Sequence, residues 1–173
     1  MKIGLFYGST TCYTEMAAEK IQAAIGADLV DIFDIKDVPL SQCEDYDIII
    51  FGISTWDFGE LQEDWESSWD DIEKLNLTDK VVALYGLGDQ QGYGEWFQDA
   101  LGMLHEQVIV RGPSLIGYWP NEGYEFSASK ALTEDQEFFV GLPLDDECQY
   151  DLTEQRIDQW CQQILQEIID LQA

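Results

Sequence analysis

The stretch Ile3-Gly4-Leu5-Phe6-Tyr7-Gly8-Ser9-Thr10-Thr11-Cys12-Tyr13-Thr14 decides how the rest of the chain is read. Its first five residues carry no charge, the pattern of a strand covered on both faces. Behind it Met16, Ala17, Ile21, Ala24 and Ile25 recur at helical spacing, and Gly26 supplies a stop. The strand therefore passes into a helix through Ser9, Thr10, Thr11 and Thr14. Backbone N–H groups at a helix N-terminus lack internal partners, and the helix dipole favours an anion there. No Lys, Arg or His lies between Lys2 and Lys20, so an anion at this turn is held by neutral donors. The stretch fits neither GxxxxGK[ST] nor GxGxxG. An ordinary helix cap needs one hydroxyl; four hydroxyls favour a phosphate monoester.

Outward from this unit the same alternation repeats. Leu29–Ile35, Ile48–Ile53, Val81–Leu87 and Leu115–Trp119 read as further strands. Helical stripes run through Leu61, Trp65, Trp69 and Ile72, through Phe97, Ala100, Leu101, Leu104 and Val108, and through Ile157, Trp160, Cys161, Ile164, Leu165 and Ile168. Asp151 and Glu154 read as a capping pair for the last helix. The segment around Val38-Pro39-Leu40 predicts a weak or short helix. Strict alternation predicts a doubly wound α/β domain spanning 1–173, a five-stranded parallel sheet in a three-layer sandwich. Five strands favour the order 2-1-3-4-5, with ligands at the carboxyl ends of strands 1, 3 and 4. Pro120 to Val140 is polar and aromatic and too long for an ordinary loop; with strand character returning at Phe139-Val140-Gly141-Leu142, it reads as an insertion splitting strand 5.

Composition narrows the partners. The chain has 173 residues, with 35 acids against 8 bases and a net charge of −27. Such a surface repels nucleic acid and anionic lipid; it either serves solubility alone or attracts basic protein faces, and the clustering of the acids favours the second. Lys36 to Lys74 contains acids and no base between its ends. Cys12, Cys43, Cys148 and Cys161 show no metal-ligand spacing, and one histidine makes a zinc site improbable. His105 reads as a surface residue. No membrane span and no leader are expected, which points to the cytoplasm.

Two more loops leave the ligand edge. Ser54-Thr55-Trp56-Asp57-Phe58-Gly59-Glu60 ends a buried strand on a Trp, an aromatic wall for a flat ligand. Gly86-Leu87-Gly88-Asp89-Gln90-Gln91-Gly92-Tyr93 adds backbone donors and a second aromatic. A phosphate cradle, two aromatics and many backbone donors describe a flavin mononucleotide (FMN) site.

At these loops the sequence resembles the flavodoxins over essentially its whole length. Ser9 to Thr14 is similar to the family's [ST]-x-T-G-x-T phosphate loop, Ser54 to Glu60 to its P-T-W-x-x-G-E, and Gly86 to Tyr93 to its G-x-G-D-Q-x-G-Y. Gly117-Tyr118-Trp119, Gly123-Tyr124 and Phe139-Val140-Gly141-Leu142 with Leu144-Asp145 resemble the long-chain bacterial branch with its strand-5 insertion. The resemblance implies the flavodoxin-like fold and non-covalent FMN. It assigns the phosphate to Ser9, Thr10, Thr11, Cys12, Tyr13 and Thr14, and the faces of the isoalloxazine to Trp56 and Tyr93. It brings backbone of Ser54, Thr55, Asp57, Phe58, Leu87, Gly88 and Asp89 to the ring edges and ribityl chain, with Asp145 or Asp146 near the ribityl side. The Asp57-Phe58 peptide would turn its carbonyl toward flavin N5, with Gly59 giving that turn freedom.

The chain departs from the family at Cys12, where Gly is usual, at Ser54, where Pro is usual, and at Leu87, where Thr is common. A positive φ at Cys12 would cost roughly 1 kcal/mol that Gly avoids. An inert thiol is the favoured reading of Cys12 over a redox-sensitive one, since a bound phosphate dianion opposes thiolate formation.

The implied function is a low-potential one-electron carrier cycling FMN between semiquinone and hydroquinone. Its expected partners are basic-faced redox proteins, such as an NADPH-dependent flavodoxin reductase and acceptor enzymes, met by a monomer with no catalytic or metal residue of its own. Asp57, Glu60, Asp89, Glu95 and the acidic helix 61–73 oppose added negative charge on the flavin. One charge about 12 Å away at an effective dielectric near 40 contributes about 0.7 kcal/mol, or roughly 30 mV for one electron. The alternative is an FMN-dependent oxidoreductase such as a quinone reductase, which needs a substrate pocket over the ring. A phosphoacceptor domain is disfavoured because Tyr7-Gly8 and Ser54-Thr55 stand where it needs acids. A binding module without cofactor would stay colourless with FMN.

Overall fold

A computed structural model describes residues 1–173. Five parallel strand positions form one sheet: β1 (Ile3–Tyr7), β2 (Val30–Asp34), β3 (Ile48–Trp56), β5 (Val81–Leu87) and a split edge made of β6 (Ser114–Ile116) and β9 (Leu142–Leu144). The spatial order is β2-β1-β3-β5-β6, with β9 also on β5. In terms of the parallel strands this is 2-1-3-4-5. β6 pairs with Val81 to Ala83 and β9 with Tyr85 to Leu87, so the two pieces share one side of β5 as a single interrupted strand.

The period of two along each strand divides the core. Ile3 and Leu5 of β1, Ile48 and Ile50 of β3, and Ala83 and Tyr85 of β5 face α1 (Tyr13–Ile25) and α4 (Tyr150–Gln172), meeting Ala17, Ile21, Trp160 and Ile164. Phe6, Ile49, Phe51, Val82 and Leu84 face the opposite layer, α2 (Glu63–Ile72) and α3 (Asp99–Ile109), meeting Trp65, Ile72, Leu101 and Leu104. β1 and β5 are uncharged throughout because both their faces are covered, whereas the edge strand β2 carries Asp31 and Asp34. Gly26 closes α1, its N–H reaching the Gln22 carbonyl.

The weak helix expected near residue 40 is a 3-10 turn, Leu40–Asp45, entered from Pro39. The third strand runs past Ile53 to Trp56 because Ser54 still pairs with Leu87 of β5, and Thr55 and Trp56 pair antiparallel with β4 (Glu60–Leu61), which turns the second loop into a hairpin. The fifth strand stops at Ile116 rather than Trp119, where Gly117 takes φ 80. The insertion folds as β7 (Trp119–Pro120) against β8 (Phe138–Phe139), with Tyr124, Phe126 and Phe139 packed around Phe97. Arg156 of α4 fastens it, donating to the Gly123 carbonyl and lying over the Tyr124 ring.

Two expectations fail. Gln149, not Asp151, holds the N-cap position of α4, and no side chain caps it there, because the helix already begins at Tyr150. His105 is half-buried, its ring 2.6 Å from the Tyr118 hydroxyl, so it ties α3 to the start of the insertion.

Candidate functional site

Three loops meet at the carboxyl ends of β1, β3 and β5. In the first, Cys12 takes φ 70 and ψ −8, and α1 begins at Tyr13. This left-handed residue reverses the chain so that the α1 N-terminus faces the turn. Thr10, Thr11 and Cys12 are exposed, whereas Thr14 is buried and its carbonyl accepts from the Tyr85 hydroxyl at 2.8 Å. Ser9 Oγ is buried with no hydrogen-bond partner in the protein. A buried hydroxyl without a partner costs free energy, and an anion held at the helix N-terminus would satisfy it.

The second loop is the tip of the β3–β4 hairpin. Asp57 (φ 45) and Gly59 (φ 84) are both left-handed, and a side chain at Gly59 would approach Asp99 Oδ2 to 2.8 Å. Phe58 projects outward, 67% exposed, edge-on to Trp96. The Trp56 indole N–H donates to Ser54 Oγ at 3.0 Å, so the serine that replaces the family's proline orients the aromatic wall. The Thr55 hydroxyl accepts from the Ala100 N–H at 3.0 Å and so serves α3.

The third loop is held from within. Asp89 Oδ1 accepts from the N–H groups of Gln91 and Gly92 and from the Cys148 thiol. Gln90 is buried, and its backbone and side-chain N–H groups both donate to Asp145 Oδ2. The other Asp145 oxygen accepts from Glu147 and Cys148. Asp145 is therefore spent on the loop, and of the adjacent pair it is Asp146 that lines the cleft. Burial pushes the Asp146 carboxyl up, partly offset by the Thr153 hydroxyl that donates to it. Asp89, Asp145 and Cys148 converge closely enough to suggest a metal. Burial and Asp89 push the Cys148 thiol up to about 11, so it stays a protonated donor within this hydrogen-bonded knot.

Between the loops lies a cleft of about 230 Å³. Thr11 and Tyr13, Ser54 to Asp57, and Leu87, Gly88, Asp89 and Tyr93 line it, joined by Asp146 and Glu147. Ser9, Thr10, Cys12 and Thr14 sit at the α1 entrance rather than on the cleft wall, and Phe58 and Gly59 at the hairpin tip. No Lys, Arg or His lines the cleft. A larger cleft, about 880 Å³, opens at the amino end of the sheet beside Lys2, Asp45 and Asp79; it contains none of these loops.

Gln62 and Gln98 also shape the site, without any motif in the sequence to mark them. Gln62 is fully buried, caps α2 with its carbonyl and reaches Thr10 Oγ1 at 3.1 Å. Gln98 (φ 61) is also fully buried and donates to the carbonyls of Gly86 and Leu144, clamping β5 to β9 beneath the third loop. Neither sits in a local pattern. The Gln62 contact spans 52 positions.

A partnerless buried hydroxyl at the entrance of α1 and a cleft lined by Trp56 and Tyr93 with no base, set at the switch point of a 2-1-3-4-5 sheet, are features shared with mononucleotide-binding proteins of the doubly wound class. The family profile described as Flavodoxin matches residues 5–160. Flavodoxin 2 of Escherichia coli strain K12 is 58% identical over 170 residues, 98% of each chain. A Haemophilus influenzae flavodoxin is 45% identical over 96% of this chain and 95% of its own. The crystal structure of Fusobacterium nucleatum flavodoxin bound to flavin mononucleotide superposes with a TM-score of 0.90 at 30% identity, covering 96% of this chain and 98% of that one. The chain belongs to the flavodoxin family, in its long-chain form. Members of this family bind FMN and carry electrons between other proteins rather than catalyse a reaction of their own, and a quinone reductase is not favoured. No helix is long and apolar enough to cross a membrane.

Proposed function

We propose that the three loops hold FMN, and that the chain is a low-potential carrier serving basic-faced redox proteins. The observation that carries the assignment is the buried, partnerless Ser9 Oγ at the entrance of α1, beside a cleft walled by Trp56 and Tyr93. FMN, when bound, supplies reversible one-electron chemistry at its isoalloxazine ring.

Ser9, Thr10, Thr11 and Thr14, with the N–H groups from Cys12 and Tyr13, receive the phosphate. All are neutral, so the dianion is bound by dipoles alone. Trp56 and Tyr93 cover the ring faces, which leaves no room for a second substrate to stack. Ser54 to Phe58 and Leu87 to Asp89 offer backbone groups to the ring edges. The left-handed Asp57 and Gly59 let the intervening peptide turn at small cost, exchanging the group it presents. Asp57, Glu60, Asp89 and the acids of α2 oppose extra negative charge at the ring and keep the carrier strongly reducing. The same acids steer it toward basic partner faces, such as an NADPH-dependent reductase and acceptor enzymes, with salt-sensitive rates. All four cysteines are free, in keeping with a monomer working in a reducing cytoplasm.

Titrating apoprotein with FMN and with riboflavin, followed by flavin-fluorescence quenching, tests the site. Much tighter binding of FMN than of riboflavin is expected. Equal affinities would remove the phosphate cradle from the assignment. Rapid turnover with NADPH and a quinone, without added reductase, would sink the carrier reading.

A further inference from the structure

Gln62 is buried between the first loop and α2, and its amide is used in full. Its Oε1 accepts from the N–H groups of Asp64 and Trp65 at 3.1 and 3.2 Å. Its Nε2 donates to Thr10 Oγ1 at 3.1 Å and to Asp64 Oδ2 at 3.0 Å. Two backbone donors can meet only the carbonyl end of an amide, so the orientation is fixed and the NH₂ end must face Thr10. Close packing holds it there: a side chain at Gly8 would come within 2.2 Å of Gln62 Oε1.

The consequence falls on one proton. A hydroxyl that accepts from an amide N–H must direct its own hydrogen elsewhere. Thr10 is exposed at the α1 entrance, and its hydroxyl makes no other hydrogen bond within the protein. We propose that Gln62 is a positioning residue for the phosphate: by donating to Thr10 Oγ1 it sets the Thr10 hydroxyl as a donor to the anion. The proposal rests on the reading of the first loop as a phosphate cradle. It also joins that cradle physically to the N-terminus of the acidic helix α2, which the same side chain caps.

Gln62→Glu has nearly the same shape and keeps an acceptor for the Asp64 and Trp65 N–H groups. Once ionised it replaces the donor facing Thr10 and Asp64 Oδ2 by an acceptor, which turns the hydroxyl proton away from the phosphate; affinities are therefore compared on the high-pH side of its titration, because Asp64 beside it favours the protonated form. FMN affinity of the apoprotein should fall about 10- to 100-fold, the worth of a hydrogen bond to a charged group. Riboflavin affinity, which does not sense the phosphate, should stay within about 3-fold. In a Thr10→Val background the further loss caused by Q62E should shrink to about 3-fold or less, because the hydroxyl it acts through is gone. A loss that is as large in that background as in the wild type would reflect the added charge alone and would overturn the proposal. So would an unchanged FMN affinity. Gln62→Met removes the donor without adding charge and should lose about 3- to 10-fold in FMN affinity alone; it carries the test if Q62E does not fold. A wild type that binds FMN and riboflavin equally would overturn the cradle itself. A preference for FMN over riboflavin that stays as large as the wild type's in both variants would overturn only the role of Gln62.

Discussion

Replacing Cys12 by glycine should make the apoprotein more stable and leave FMN binding nearly intact. Cys12 sits at φ 70, ψ −8, where its Cβ crowds the following carbonyl. Its side chain is exposed and makes no capping hydrogen bond, so no packing or polar contact is lost on truncation. What must be retained is backbone geometry: the Cys12 carbonyl accepts from the Met16 N–H at 2.8 Å and starts α1. Relief of the left-handed conformation is worth about 1–2 kcal/mol. Glycine's greater freedom in the unfolded chain takes back about 0.5–1 kcal/mol. The net is about 0–1.5 kcal/mol, or a rise of up to about 6 °C in melting temperature for a chain of this size. Thermal unfolding of apoprotein, scanned beside wild type and Cys12→Ala, reads it. The alanine variant lacks the thiol but keeps the crowding, and should melt within about 1 °C of wild type. FMN affinity of Cys12→Gly should stay within about 5-fold, a change of about 1 kcal/mol. A lower melting temperature, or a loss of affinity of about tenfold or more, would show that the thiol has a role and that the strain argument is wrong.

Three other perturbations probe the scaffold. In Gly52→Ala the new methyl would stand 2.2 Å from Tyr85 Cζ, and Tyr85 is fully buried with its hydroxyl committed to Thr14; a loss of about 1–3 kcal/mol is expected in urea unfolding, and wild-type stability would contradict the packing. Burial raises the Asp99 carboxyl above its usual 3.8 despite the Lys130 N–H that it accepts. The stability Asp99 contributes is therefore present below pH 3.8 and lost as pH rises through its folded value. Asp99→Asn keeps an acceptor for that N–H and should flatten the stability profile in that window; an unchanged slope would refute this. Burial outweighs Glu106 in holding the His105 imidazole below 6.5, so stability should fall as pH drops from 6.5 through the lower folded value. His105→Gln should remove that dependence in urea midpoints taken across the range, and a persisting slope would assign it to another group.

Most of the architecture was legible because its signals are local. Uninterrupted apolar runs announce strands covered on both faces, and strand character at Phe139-Val140-Gly141-Leu142 announced the split edge, although Phe139 pairs with β7 and the returning piece is Leu142–Leu144. The extension of β3 to Trp56 was hidden because Ser54-Thr55-Trp56 has no apolar alternation; Ser54 is strand through Leu87 of β5, and Thr55 and Trp56 through Leu61 and Glu60. The same limit applies at the site. Loop residue types identified the cleft walls, but composition cannot tell a side chain that meets a ligand from one that holds the loop. Asp89 folds its own turn locally, whereas Thr55 caps α3 from 45 positions away and Asp145 holds Gln90 from 55 positions away, contacts unseen in sequence order. Gln62 was invisible for the same reason.

The absence of a base at the first loop and the excess of acids around the other two act in the same electrostatic direction. A lysine in the cradle would bind the dianion more tightly. Placed about 12 Å from the flavin ring it would also favour added electrons by roughly 30 mV at an effective dielectric near 40, cancelling the effect of about one carboxylate. Hydroxyls and amides avoid this, since a dipole's field falls faster with distance than a charge's. Their contribution to binding depends on orientation, however, and a free hydroxyl rotor turned the wrong way adds nothing. That is why the interior behind the cradle matters. The crowded left-handed residue at Cys12 aims the backbone N–H groups, and the buried amide of Gln62 aims Thr10. A site that does without charge must be held more rigidly than one that uses it.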